Sequence, residues 1–139
     1  MIFLPFWVTC YHTLIMAQTI LVVEDNEELQ LAYRITLEAE NFTVLQAKNG
    51  NQGLEQAGAK RPDAILLDLN MPEMDGLTML EELRKQPWGN MPVIILTSSD
   101  DINDVNAGLE SKAQAYFVKD EVSLQQVVKT LKKLLQASS

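Results

Sequence analysis

The sequence predicts an α/β domain in which a parallel β-sheet carries helices on both faces. Short apolar runs alternate with longer amphipathic segments, five of each, a pattern typical of βαβ units joined by right-handed crossovers. The third run, Ala64–Leu67, is wholly apolar, which suits a strand that is buried on both faces. It stops at Asp68, and Pro72 and Asp75-Gly76 then indicate a loop. A carboxylate is therefore expected at the carboxyl edge of a central strand, where open α/β sheets bind ligands.

Length and composition limit the class of protein. The chain has 139 residues, 47% of them hydrophobic and 22% charged, which is enough for one domain with a substantial core. Its net charge of −8 argues against direct nucleic-acid binding, which needs a basic stripe, and fits a protein that binds cations or basic partners. With one cysteine, Cys10, the chain forms neither an internal disulfide nor a cysteine metal cluster, so we expect a cytoplasmic, reducing environment.

The segment Met1–Met16 contains no charged side chain and differs from the rest of the chain. It lacks the positively charged start of a signal peptide, and for a membrane helix it is short, contains Pro5 and has no basic flank. Met16 could itself be a natural start. We therefore expect residues 1–18 to form an apolar extension outside the domain and residues 19–137 to form the domain. A weak membrane anchor is the alternative.

Periodicity and turn signals place the secondary structure along the chain. Strands are expected where apolar and β-branched residues run together or alternate with polar ones: Thr19–Val23, Phe42–Ala47, Ala64–Asp68, Val93–Leu96 and Ala115–Val118. Helices are expected between them and after the last strand, over about residues 27–40, Gln52–Ala59, Leu77–Lys85, 100–109, and from Ser123 onward.

Capping signals support these boundaries. Asn26 is a good N-cap for the first helix, and acids follow it in the first turn, where they complement the helix dipole. Asn49-Gly50 indicates a turn before the second helix, and Gly53 and Gly58 lower the helix propensity there, so a less regular helix is expected. Ser123 with Gln126 three residues later forms the sequence of a capping box at the last helix.

Polar residues follow four of the five predicted strands. The first strand ends in Glu24-Asp25, the third in Asp68, the fourth in Thr97 and the fifth in Lys119. Parallel strands bring these residues to one edge, where three close carboxylates repel one another and a divalent cation relieves the repulsion. Oxygen ligands of this kind suit Mg²⁺. The ammonium and hydroxyl groups would stabilise a transferring phosphoryl group, for which a carboxylate can act as the nucleophile.

With these motifs the chain resembles the receiver domain of bacterial two-component response regulators, from about Thr19 to Gln136. The matching motifs are Ile20-Leu21-Val22-Val23-Glu24-Asp25, Leu66-Leu67-Asp68-Leu69-Asn70-Met71-Pro72-Glu73-Met74-Asp75-Gly76, Ile95-Leu96-Thr97 and Tyr116-Phe117-Val118-Lys119. The resemblance implies a flavodoxin-like, doubly wound five-stranded parallel sheet with strand order 2-1-3-4-5. It also implies a stand-alone, chemotaxis-regulator-like switch whose output is the binding of another protein.

The resemblance assigns a phospho-acceptor and a metal site. Asp68 is implied to take a phosphoryl group from a phosphohistidine. Asp25 and Asp68 would bind Mg²⁺ directly, Glu24 would help to hold it, and Asn70 would offer its backbone carbonyl. Because His12 is the only histidine and lies in the apolar segment, the phosphohistidine is expected on another protein, a histidine kinase or a phosphotransfer protein.

The resemblance also assigns a switch. Thr97 and Lys119 are implied to bind phosphoryl oxygens, and Tyr116 to turn inward when Thr97 moves toward the phosphate, which would remodel the face formed by the fourth helix, the fifth strand and the fifth helix. A phosphorylation-dependent homodimer is a further expectation. Two residues depart from the family pattern: Asp120 follows Lys119 where the family often has a cis proline, and Glu24 replaces the commoner aspartate.

Other functions remain open at this point. An aspartyl-nucleophile phosphatase usually has a second aspartate two residues after the nucleophile, where this chain has Asn70. A flavin-binding module would need a phosphate-binding loop after the first strand, and Glu24-Asp25 would repel the phosphate. A receiver-like scaffold that is never phosphorylated needs none of these residues. Each candidate residue also has an ordinary structural explanation. Glu24-Asp25 could be charges at a helix start, Lys119 a surface lysine and Thr97 the end of a strand. Tyr116 could be a core aromatic residue and Asn70 a turn residue.

Overall fold

The computed structural model describes residues 17–71, 73–98, 102–110 and 112–138. Strands and helices alternate along this part of the chain: β1 (Thr19–Val23), α1 (Glu27–Ala39), β2 (Thr43–Ala47), α2 (Gly50–Lys60), β3 (Ala64–Leu67), α3 (Gly76–Arg84), β4 (Val93–Thr97), α4 (Ile102–Glu110), β5 (Ala115–Val118) and α5 (Leu124–Ser138). The predicted extension over residues 1–18 falls largely outside the described residues. Within them, no helix is both long enough and apolar enough to cross a membrane.

The five strands form one parallel sheet in the order β2-β1-β3-β4-β5. This confirms the predicted fold class and strand order. Val23 at the end of β1 pairs with Ala47 of β2 and with Leu67 of β3, and Thr97 at the end of β4 pairs with Val118 of β5. The strands therefore end in register, and the residues that follow them emerge together at one edge of the sheet.

Helices cover both faces of the sheet, which explains why the central strands are apolar at every position. Alternate residues of β1 point to opposite faces, with Leu21 and Val23 in one core and Ile20 and Val22 in the other. The first core is closed by α2 and α3, through buried residues such as Met79. The second is closed by α1 and α5, through buried residues such as Leu131. The apolar side of the last helix, α5, therefore packs onto the sheet.

Side-chain caps fix where the helices start. Asn26 accepts a hydrogen bond from the Leu29 N–H at 3.0 Å, as predicted, and Ser123 and Gln126 form the predicted capping box, with bonds of 2.9 and 3.1 Å. The prediction at the second helix was wrong. Asn49-Gly50 is a helix start rather than a separate turn, because α2 begins at Gly50 with Asn49 as its N-cap.

The sequence suggested that Gly53 would make α2 irregular, but the helix is regular. The helix runs unbroken from Gly50 to Lys60, and Gly53 is buried in it. A β-carbon at Gly53 would lie 2.8 Å from the Met79 sulfur and 3.1 Å from a methyl group of Val23. The glycine is there because α2 approaches the sheet and α3 closely, a packing requirement that helix propensity does not contain.

Candidate functional site

The carboxyl edge of the sheet brings together residues that are far apart in the chain. Glu24 directly follows β1, Asp68 directly follows β3, and Lys119 directly follows β5. The Lys119 ammonium lies 2.7 Å from Glu24 Oε1 and 3.2 Å from Asp68 Oδ2. Glu24 is 2% exposed and Asp68 4% exposed. One lysine thus bridges two buried carboxylates, as the strand order led us to expect for residues at this edge.

Asp25 completes an acidic cluster with Glu24 and Asp68. Each of the three offers a carboxylate oxygen, and these oxygens lie within 4.8 Å of one another. The Asp25 side chain is exposed, so the cluster opens to solvent on its side. Glu24 Oε2 is buried, and no described residue gives it a hydrogen bond. A set of oxygen donors with one unpartnered buried oxygen suits a hard divalent cation such as Mg²⁺.

Electrostatics in the cluster are dominated by Glu24. Burial, and then the neighbouring Asp68 carboxylate, to which a protonated Glu24 can donate, raise the pKa of Glu24 from 4.5 to about 8, although Lys119 acts in the opposite direction. For Lys119, burial lowers the pKa, but the bonds with Glu24 and Asp68 outweigh burial and hold the pKa above its ordinary value. A pKa of about 8 keeps Glu24 protonated near neutral pH when no cation is bound.

Asp68 is held in one orientation because each of its oxygens has a donor. The Asn70 backbone N–H donates to Oδ1 at 3.0 Å, and Lys119 contacts Oδ2. The Asn70 side chain turns to the next strand, where its amide donates to Thr97 Oγ1 at 2.7 Å and to Ser98 Oγ at 3.2 Å. Asn70 thus joins the loop after β3 to the end of β4.

Tyr116, which the resemblance assigns to the switch, lies on the edge strand β5. It is half-buried on β5, pairs in register with Ile95 of β4, and packs against the core that α2 and α3 close. A β-carbon at Gly108 of α4 would contact its ring at 3.6 Å, so the ring lies beneath α4. The strand places Tyr116 two residues from Val118, the partner of Thr97.

Sequence reasoning missed two residues of α1 that lie behind the site. Gln30 is buried, and its amide donates to backbone carbonyls at the ends of β1 and β2. Tyr33 is buried on the same face of the helix, where burial raises the pKa of its hydroxyl and the charges of Lys119, Glu24 and Asp68 also act on it. Both occupy positions of the apolar stripe of α1, and a glutamine in such a stripe is a signal that the sequence did contain.

Comparison with known proteins shows the family to which this chain belongs. The family model for the response regulator receiver domain matches residues 20–132. The chain belongs to this family: it is a response regulator receiver domain, a signalling domain of two-component systems with a flavodoxin-like fold.

Two of the curated relatives are transcriptional regulatory proteins. The transcriptional regulatory protein PrrA of Mycobacterium tuberculosis is 37% identical over 117 residues, which are 84% of this chain and 49% of PrrA. The KDP operon transcriptional regulatory protein KdpE of Escherichia coli is 34% identical over 100 residues, which are 72% of this chain and 44% of KdpE. This chain therefore spans about half the length of the curated relatives it matches.

Solved structures of similar length also match. The receiver domain of the Francisella response regulator 1452 has a TM-score of 0.82 and 27% identity, covering 88% of this chain and 99% of that one. The chemotaxis protein CheY4 of Vibrio cholerae has a TM-score of 0.79 and 26% identity, covering 85% of this chain and 98% of that one.

Proposed function

We propose that this domain accepts a phosphoryl group on Asp68 from a phosphohistidine of a histidine kinase or phosphotransfer protein, in a Mg²⁺-dependent reaction, and that phosphorylation switches a protein-binding face. The observation that carries the proposal is the state of Asp68: a buried carboxylate, oriented by donors on both oxygens and placed beside Glu24 and Lys119. A structural aspartate does not need two further carboxylates within reach of its own.

The reaction transfers a phosphoryl group from a histidine nitrogen to an aspartate oxygen. A carboxylate oxygen of Asp68 attacks phosphorus, a P–O bond forms, the P–N bond of the phosphohistidine breaks, and the imidazole keeps the electron pair and takes up a proton. Mg²⁺, when bound, supplies positive charge for the phosphoryl oxygens. We assign its binding to Asp25 and Asp68 with help from Glu24 and the Asn70 backbone carbonyl. The domain assists its own phosphorylation and dephosphorylation in this way without acting on another substrate.

Lys119 and Thr97 would bind the phosphoryl oxygens. The Lys119 ammonium already lies at 3.2 Å from Asp68 Oδ2, so it can contact an oxygen of the product with a small movement. The Thr97 hydroxyl accepts a bond from the Asn70 amide in the resting domain. That bond must be exchanged when Thr97 turns to the phosphoryl group, and the exchange makes Thr97 a two-position element.

Tyr116 connects this element to the surface. We propose that movement of Thr97 lets the half-buried ring turn inward beneath α4, and that this changes the face formed by α4, β5 and α5. The output is then the binding of another protein or of a second copy of this domain. A cytoplasmic location, where kinases of this system have their phosphohistidines, completes the proposal.

The test is the intact mass of the protein after incubation with Mg²⁺ and acetyl phosphate, and separately with phosphoramidate, which carries a P–N bond. We expect a Mg²⁺-dependent phosphate adduct in the wild type and none in Asp68→Asn. Circular dichroism establishes that both proteins are folded. If folded wild type forms no adduct with either donor, or if Asp68→Asn forms it equally well, Asp68 is not the acceptor and the scaffold alternative gains support.

A further inference from the structure

We propose that Gln30 is a positioning residue for the phosphorylation site, which sets the backbone that carries Glu24 and Asp25. This inference rests on the proposed function. Gln30 touches neither the phosphoryl group nor a metal ligand's carboxylate. It acts through backbone carbonyls on both sides of the acidic pair.

The Gln30 amide bridges three carbonyl groups. Its Nε2 donates to Val22 O at 2.9 Å, to Ala47 O at 2.8 Å and to Glu24 O at 3.2 Å. A carboxamide has two N–H groups, so one of them is shared between two carbonyls. Its Oε1 accepts from Gln46 Nε2 at 3.2 Å, which favours the orientation that points the NH₂ group at the carbonyls. The side chain is 6% exposed, so water does not readily replace these bonds.

The loop between β1 and α1 is held by hydrogen bonds at each end and by Gln30 between them. The parallel pairing of β1 ends at Val23, and beyond it the Glu24 N–H donates to Ala47 O at 3.0 Å. Asn26 then caps α1. The Glu24 carbonyl lies between the Glu24 N–H bond and the Asn26 cap. Gln30, in the first turn of α1, donates to this carbonyl.

Movement of that carbonyl would move the acidic pair. Glu24 Oε1 lies 2.7 Å from the Lys119 ammonium, and Asp25 is the next residue along the chain. A shift of the Glu24 backbone changes the separation of both carboxylates from Asp68, because the Asn70 N–H holds Asp68 from its own loop. Metal sites respond strongly to such displacements, since losing a residue that orients a ligand typically costs roughly 10- to 100-fold in metal affinity.

The experiment measures Mg²⁺ affinity by isothermal titration calorimetry and adduct formation by intact mass, in four proteins. Gln30→Met keeps the length of the side chain and removes the donors. Gln30→Leu also removes the donors and adds no charge, so it serves as the second variant if Gln30→Met does not fold. Leu37→Val, two turns further along α1 and fully buried, is the matched control, because it loses core packing without touching these carbonyls.

We expect Gln30→Met to bind Mg²⁺ roughly 10- to 100-fold more weakly than wild type. Its phosphorylation rate should recover in part at saturating Mg²⁺, while Leu37→Val keeps the wild-type affinity although it loses stability in urea. Unchanged affinity in the Gln30 variants, an equal loss in Leu37→Val, or no Mg²⁺ binding by wild type would overturn the inference. Wild type that binds Mg²⁺ but forms no adduct would instead refute the proposed function, and the affinities would still decide the role of Gln30.

Discussion

The raised pKa of Glu24 predicts that the metal-free domain becomes less stable as the pH rises. The carboxyl group titrates near 4.5 when exposed and near 8 in the folded domain, because burial and the bond with Asp68 favour its protonated form. A folded state that holds a proton more tightly than the unfolded state is most stabilised below pH 4.5, and this contribution is lost as the pH rises through about 8. One pKa unit corresponds to about 1.4 kcal/mol, so the contribution amounts to at most about 5 kcal/mol.

Glu24→Gln isolates this contribution. Glutamine has the shape of the protonated glutamate and is neutral at every pH, its carbonyl can still accept from Lys119, and its amide can donate to Asp68. The titratable neighbours of Glu24 are the same in both proteins: Asp25, Asp68, Lys119 and Tyr33. The difference between wild type and variant therefore reports the titration of Glu24.

Urea unfolding in EDTA at pH 5, 6, 7 and 8 gives this difference directly. We expect the free energy of unfolding of wild type to fall relative to Glu24→Gln by several kcal/mol across this range, with about 5 kcal/mol as the limit. Mg²⁺ at pH 8 should raise the stability of wild type more than that of the variant, since the metal replaces the proton among the carboxylates. A difference that stays constant from pH 5 to 8 would refute the reasoning, because the folded domain would then not hold the extra proton.

Two further predictions concern the loops around the site. Asn70→Ala removes the 2.7 Å bond to Thr97, worth about 1 kcal/mol, so the phosphorylated and resting positions of Thr97 should shift in population about fivefold, and the adduct lifetime by a similar factor. Ser98→Ala, which leaves that bond in place, is the control, and equal lifetimes in Asn70→Ala and wild type would contradict the role given to Asn70. Gly76→Ala should destabilise the domain by about 1–3 kcal/mol in urea, because the new β-carbon would overlap the Asp68 carbonyl oxygen. In contrast, Gly58→Ala, whose β-carbon meets Trp88 at 3.3 Å, should be neutral or stabilising by up to about 1 kcal/mol, and similar losses in the two variants would disprove this steric explanation.

Much of the fold was predictable because its signals are local. A wholly apolar run such as Ala64–Leu67 reports burial on both faces, and Asn26 and Ser123 mark helix starts through bonds to residues three positions away. Strand order was not a local property and came from the resemblance to receiver domains. The start of α2 was misplaced because a glycine after an asparagine is typical of a turn. In the structure Gly50 is the first residue of the helix, and its N–H donates to the carbonyl oxygen of Met74 in a distant loop. Met74 lies so close that a β-carbon at Gly50 would overlap it.

The candidate site, like the fold, was predictable in part. Its charged members were predictable because parallel strands deliver their carboxyl ends to one edge, so Glu24 and Lys119 meet although they are 95 residues apart. The partners of each side chain were not predictable. The bond from Asn70 to Thr97 and the three carbonyls around Gln30 depend on side-chain directions that only the folded sheet defines.

The unmodified site carries an electrostatic cost that a bound cation would lower. Three carboxylates and one lysine leave an excess of negative charge, and a buried oxygen of Glu24 has no donor among the described residues. The folded domain tolerates this because Glu24 retains a proton and because Gln30 and Asn70 fix the surrounding backbone from either side. A cation that replaces the proton would supply positive charge to the carboxylates and so lower this electrostatic cost. The excess negative charge of the unmodified site is therefore what would make it responsive to a cation, since a cluster with balanced charge and complete hydrogen bonding would gain less from binding one.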